Sequence, residues 1–195
     1  MPNNKTVAVC AVGVAIAAAL AQLVQARVQP SAATARPAEA GAVDPKWGIV
    51  EGVRIVPQAD GSLLAPTADK AFHRVIKVVD IEKPGRYRLS VDTVYDGASN
   101  FMIEIGGQPN QNYGKVIADL KSGKIRFASE QIRGAGVEVL SAADRKYRWW
   151  VDFDFAGGKT TYNLALLSVS DNPIFRGIGQ CGIVLGEPSL TAITK

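Results

Sequence analysis

The residues best equipped for chemistry lie in one short stretch, RKYRWWVDFDF, at positions 145–155. Asp152 and Asp154 stand two residues apart. On a β-strand that spacing puts both carboxylates on one side, roughly 6.5–7 Å apart at Cα for a rise near 3.3 Å per residue. This is close to the separation used by paired carboxylates in glycosidic-bond hydrolysis, and Asp92 is a third candidate for such a role. Alternate carboxylates are also common on a solvated strand face. Nothing nearby forms the apolar pocket that raises one pKa for a general acid. No catalytic residue is therefore assigned, and a hydrolase is the least favoured reading.

The same side of the strand carries Arg148 and Trp150 beside Lys146, Asp152 and Asp154. The opposite side carries Tyr147, Trp149, Val151, Phe153 and Phe155, all apolar or aromatic. Such clean alternation fixes the register, with Trp149 in the core and Trp150 outside. The stretch Arg86–Tyr95 repeats the arrangement, with Tyr87, Leu89, Val91, Thr93 and Tyr95 alternating with Arg88, Ser90, Asp92 and Val94. If the two strands share a sheet, one wet face presents Arg88, Asp92, Arg148, Trp150, Asp152 and Asp154. Such a set suits a neutral sugar: an indole stacks on a pyranose face while fixed planar groups hydrogen-bond the hydroxyls. The structural alternative has Trp150 covered by a loop or the linker, or packed on the stem of Arg148.

Other chemistry is sparse. His73 is the single histidine, in AFHRVIKVV, on the side of Val75 and opposite Phe72. This predicts a partly buried structural histidine. No metal-ligand cluster, no Gly-x-Ser-x-Gly elbow and no Cys/His pair of plausible context is present, so no metal and no cofactor is assigned. The string GGKTT (157–161) has Phe153 where a phosphate loop needs its first glycine, and a strand follows it, which excludes that reading.

These residues are positioned by short alternating segments. Strands are predicted at Val53–Gln58, Phe72–Asp80, Arg86–Tyr95, Phe101–Ile105, Lys115–Asp119, Lys124–Ala128, Val137–Leu140, Tyr147–Phe155, Thr160–Ser168, Gly182–Leu185 and near Leu190–Ile193. Turn compositions such as KPG, DGASN, KSG and SDNP punctuate them. The Ala156-Gly157-Gly158 turn predicts a hairpin between Tyr147–Phe155 and Thr160–Ser168. No helical periodicity appears after the N-terminal stretch. The pattern predicts an all-β antiparallel sandwich of jelly-roll, galactose-binding-like type over residues 46–195.

Upstream, Lys5 precedes an apolar run from Val7 to Ala21. This reads as a signal peptide or retained membrane anchor over 1–26, so the rest of the chain is expected to be exported, periplasmic or extracellular. Residues 27–45 are rich in Ala and Pro and read as a linker. Cleavage would remove Cys10 and leave Cys181, a small hydrophobe or a reactive thiol, with no intramolecular disulfide. The net charge is +4 without any Lys/Arg run, so no nucleic-acid partner is expected.

The order PGRYRLSVDTVYDG (84–97), YGKVIADLKSGKI (113–125) and GVEVLSAADRKYRWWVDFDF (136–155) resembles jelly-roll carbohydrate-binding modules. These are found with polysaccharide-degrading enzymes and in phage tail and bacterial surface proteins. Pro84, Gly85, Tyr87 and Ser90 match one element; Asp119, Leu120 and Gly123 match a second; Tyr147 and Arg148 match a third. Two departures stand out. Lys146 occupies a position usually held by Trp, and Gly186-Glu187-Pro188 replaces an acidic pair that helps hold calcium in such modules. The resemblance implies the sandwich fold and a polysaccharide or glycan partner. The alternative is a cell-envelope structural or assembly protein whose sandwich face binds another protein, with Trp150 as the anchor.

Overall fold

The computed structural model describes residues 42–106, 112–177 and 181–194. The N-terminal segment 1–26 and the linker up to residue 41 lie outside the described residues. Those described form fifteen strands. The first five are β1 (Ala42–Asp44), β2 (Gly48–Glu51), β3 (Val53–Gln58), β4 (Gly61–Pro66) and β5 (Lys70–Ile81). They are followed by β6 (Gly85–Asp96), β7 (Asn100–Gly106), β8 (Asn112–Asp119), β9 (Lys124–Ala128) and β10 (Ile132–Ser141). The last are β11 (Lys146–Phe155), β12 (Gly158–Leu167), β13 (Ile174–Arg176), β14 (Gly182–Leu185) and β15 (Ser189–Ala192).

The strands build two sheets. One is eight-stranded, in the order β1-β2-β5-β12-β7-β8-β9 with β13 added on β5. The other is seven-stranded, β10-β11-β6-β14-β4-β3 with β15 added on β6. Neighbours far apart in sequence and antiparallel ladders make this the expected all-β sandwich of jelly-roll type. The core lies between the sheets. Trp149, Val151 and Phe153 from β11 and Leu89 and Val91 from β6 meet Phe101, Ile103, Leu164 and Leu166 from β7 and β12. Each large side chain so buried contributes roughly 1.5–3 kcal/mol. Trp149 also donates its indole N–H to the Thr93 hydroxyl at 2.8 Å, so its polar edge is satisfied inside the core.

The glycine turn after β11 does not close a hairpin. Both edges of β11 are occupied, by β10 and β6. β12 instead enters the other sheet between β5 and β7. Its Leu164–Leu167 run is buried throughout, so this end of the strand is covered on both faces. Gly157 and Gly158, at φ 95° and 100°, take the chain across the end of the sandwich as an arch. β1 lies inside the stretch read as linker, and Asp44 organises the turn after it by accepting from the backbone N–H groups of Lys46 and Trp47. β2, β4 and β13 also escape the sequence reading, and β10 begins at Ile132 rather than Val137.

Most residues that carry the resemblance are framework. Asp119 accepts from the backbone N–H groups of Lys121 and Ser122 at the β8–β9 turn. Leu120 is fully buried. Gly123, at φ 65°, lies against the Tyr147 ring, where a Cβ would clash at 2.5 Å. Tyr87 donates its hydroxyl to the Lys83 carbonyl at 2.7 Å.

His73 is fully buried on the core side of β5. Its Nε2 lies 2.8 Å from the Phe175 carbonyl oxygen, its Nδ1 meets the Gly52 carbonyl oxygen, and its ring tilts against Phe175 at 4.3 Å. One side chain thus ties the β2–β3 turn, β5 and β13 together. Replacing it with Ala leaves a cavity and removes both carbonyl partners. His73→Ala is expected to lower unfolding free energy by about 3–4 kcal/mol in urea titrations, whereas His73→Gln recovers part of that loss.

Candidate functional site: the outer face of the seven-stranded sheet

β11 and β6 pair directly, so the two predicted faces are one face. Opposite Trp150 stands Ser90 on one side and Gly136 on the other. Asp152 stands opposite Arg88, Arg148 opposite Asp92, and Asp154 opposite Arg86. All six predicted site residues therefore share the outer surface of β6 and β11. β15 extends it with Ser189 beside Ser90 and Thr191 beside Arg88.

The charges are paired across the strands. Arg88 donates from Nε and Nη2 to the two oxygens of Asp152 at 2.7 and 2.8 Å. Arg148 holds Asp92 in the same two-pronged way at 2.7 and 3.0 Å, with Glu138 at 3.8 Å from Nη1. Asp154 receives Arg86 Nε at 3.0 Å on one oxygen and Arg133 Nε at 2.8 Å on the other. Lys146 reaches Asp60 at 2.9 Å. The hydrogen bond from Arg86, then that from Arg133, holds the Asp154 carboxyl below the usual carboxylate range. Each exposed pair contributes little by itself. Held on neighbouring strands, however, the guanidinium and carboxylate planes are fixed in orientation as well as position.

Trp150 sits within this ladder, half-buried. Its indole lies over β10, where a Cβ on Gly136 would come within 2.3 Å of the ring and one on Gly134 within 3.3 Å. The two glycines are the seat of the ring, which is why glycine recurs inside a strand here. The Arg88 guanidinium stands 4.1 Å from the ring centroid, a cation–π contact. Trp150 therefore packs on glycine backbone and on Arg88. Sequence reasoning missed Gly134, Gly136 and Arg133 because it began β10 too late. The signal is present in Arg133-Gly134-Ala135-Gly136: two glycines at strand spacing opposite an outward tryptophan.

A two-carboxylate hydrolase needs one carboxyl held protonated and the other free. Asp92, Asp152 and Asp154 are all engaged by arginines, and the shift at Asp154 is the wrong way for a general acid. The arrangement offers rigid donors and acceptors around an aromatic ring. Among the described residues no group of three or more His, Cys, Asp or Glu is placed to hold a metal ion. Gly186-Glu187-Pro188 forms the break between β14 and β15, where the Gly186 N–H bonds the Asp92 carbonyl at 2.8 Å. Cys181 is half-buried against Gly97.

Gly136→Ala should displace the Trp150 ring while leaving the core intact. Acrylamide quenching is expected to rise in this variant with the urea midpoint nearly unchanged. Asp154 supplies a second expectation. Because its folded pKa is depressed, its contribution is complete above the unfolded value of 3.8 and is lost as pH falls through the lower folded value. Carboxyl ¹³C titration should find Asp154 below 3.8 in the wild type and closer to it in the Arg86→Gln, Arg133→Gln double variant.

No family model matches the chain, and no curated protein matches it either. Several solved structures are similar to it. A CBM4 carbohydrate-binding module aligns over 73% of this chain and 79% of its own, at 9% identity and a TM-score of 0.37. The CBM35 module from Cellvibrio japonicus Abf62 aligns over 79% of this chain and 87% of its own, at 13% identity and a TM-score of 0.33. A Paenibacillus sp. cycloisomaltooligosaccharide glucanotransferase, complexed with cycloisomaltoheptaose, aligns over 72% of this chain at 12% identity and a TM-score of 0.39. The match spans only 16% of that enzyme's length. Carbohydrate-binding modules are thus among the structures to which this chain is similar.

Proposed function

We propose that this chain is a non-catalytic, exported carbohydrate-binding module that engages a cell-envelope or extracellular polysaccharide through the outer face of the seven-stranded sheet. The observation that carries the reading is the ladder itself. The Arg88–Asp152 and Arg148–Asp92 pairs flank the half-buried Trp150 in one unbroken register. Sugar hydroxyls require donors and acceptors fixed in direction, and each guanidinium–carboxylate pair supplies both. A pyranose lying along β11 meets the Trp150–Arg88 stack at its apolar face and the pairs at its hydroxyls, with Ser90, Ser189 and Thr191 adding hydroxyl partners. The ligand class is the one named by the carbohydrate-binding modules above, but the reading rests on this face. Export is supported by the Lys5 and Val7–Ala21 pattern.

The experiment is affinity electrophoresis against a panel of soluble polysaccharides, with the full chain produced in cells that are also fractionated. Wild type is expected outside the cytoplasm and retarded by at least one polysaccharide. Trp150→Ala should weaken that retardation about tenfold or more while circular dichroism stays unchanged. Protein confined to the cytoplasm overturns the export part. No retardation by any polysaccharide, together with a co-purifying protein lost in Trp150→Ala, replaces the glycan reading with a protein-docking face.

A further inference from the structure

Charge is unevenly distributed along the ladder. At one end Arg148 faces two carboxylates, Asp92 and, at 3.8 Å, Glu138. In the middle Arg88 and Asp152 match one to one. At the other end a single carboxylate, Asp154, is shared by Arg86 and Arg133. The face thus runs from an excess of negative charge to an excess of positive charge over a few residues of β11.

A second arginine on one exposed carboxylate is poorly explained by stability. Exposed ion pairs contribute little, and the two guanidinium groups repel each other. Their geometry points elsewhere. Both use only Nε on Asp154, so their terminal nitrogens make no hydrogen bond among the described residues. The side chains are about half exposed, at 48% for Arg86 and 52% for Arg133. Asp154 holds both stems in place, and the free edge of a guanidinium is a two-pronged donor matched to a carboxylate or sulfate.

We propose that Arg86 and Arg133 form a subsite for the anionic group of an acidic polysaccharide, a uronate carboxylate or a sulfate ester, on the chain that runs along β11 past Trp150. This rests on the glycan-binding reading of the same face. The excess carboxylates near Arg148 repel an anionic substituent at the far end, so the charge gradient also sets the direction in which the glycan lies.

The test uses matched pairs that differ in charge but keep the sugar. Polygalacturonate is compared with its fully methyl-esterified form, and dextran sulfate with dextran. Wild type should prefer the charged member of at least one pair by about tenfold, and which pair distinguishes carboxylate from sulfate. The preference should shrink as salt rises from about 50 to about 500 mM. Arg133→Gln should reduce it, and the Arg86→Gln, Arg133→Gln double variant should abolish it. Lys121→Gln, on the β8–β9 turn, should leave it unaffected. Equal binding to both members of each pair overturns the proposal and leaves the glycan reading standing. So does a preference that survives the double variant, or one lost equally in Lys121→Gln. Binding to no polysaccharide, charged or uncharged, overturns both.

Discussion

The pairing of β11 with β6 runs from Lys146 opposite Val94 to Phe155 opposite Gly85 without a break in register, and both the core and the candidate site depend on it. A slip of one residue would turn Trp149, Val151 and Phe153 to water and bury Arg148, Asp152 and Asp154. The penalty for burying those charges is far larger than anything the exposed ion pairs contribute, so the core sets the register and the ladder inherits it. The outer face is organised because the inner face cannot be otherwise.

That dependence explains what could be read without coordinates. The alternation in β11 and β6 assigned Trp149 inward and Trp150 outward, and the buried Trp149–Thr93 hydrogen bond agrees. His73 was legible on the same basis as a structural residue on the side of Val75, though it is fully rather than partly buried. Pairing partners were not legible, because alternation is a property of one strand while pairing is a property of two. Gly157-Gly158 has the composition of a tight hairpin, yet it serves an arch, since nothing local records that β11 already has neighbours on both edges. β2, β4 and β13 were invisible for a related reason. β2 and β13 are short and held extended by tertiary partners, while Leu63-Leu64-Ala65-Pro66 in β4 shows no clean alternation.

The outward tryptophan is half-buried, and its contacts are with the sheet itself. Gly134 and Gly136 remove the side chains that would lift the ring from the sheet, and Arg88 caps it. An indole held this way presents a preorganised surface with little rotational freedom left to lose on binding. Because Arg88 is shared between Trp150 and Asp152, a change at either carboxylate or ring is transmitted to the other. The resemblance motif plays a different part: Asp119, Leu120, Gly123, Tyr87 and Tyr147 hold turns and core, so their presence speaks for architecture rather than for ligand.

The arch after β11 and the place of β14 have a consequence for how the chain reaches this state. β12 pairs with strands on either side that are distant in sequence, and β14 fills the gap between β6 and β4 from near the C-terminus. Loop-closure entropy must be overcome before most of these ladders reward it, so the domain belongs among slow-folding, high-contact-order topologies. During synthesis the β3–β4 hairpin has no partner in its sheet until Gly182–Leu185 has emerged, and for that interval its edge is open.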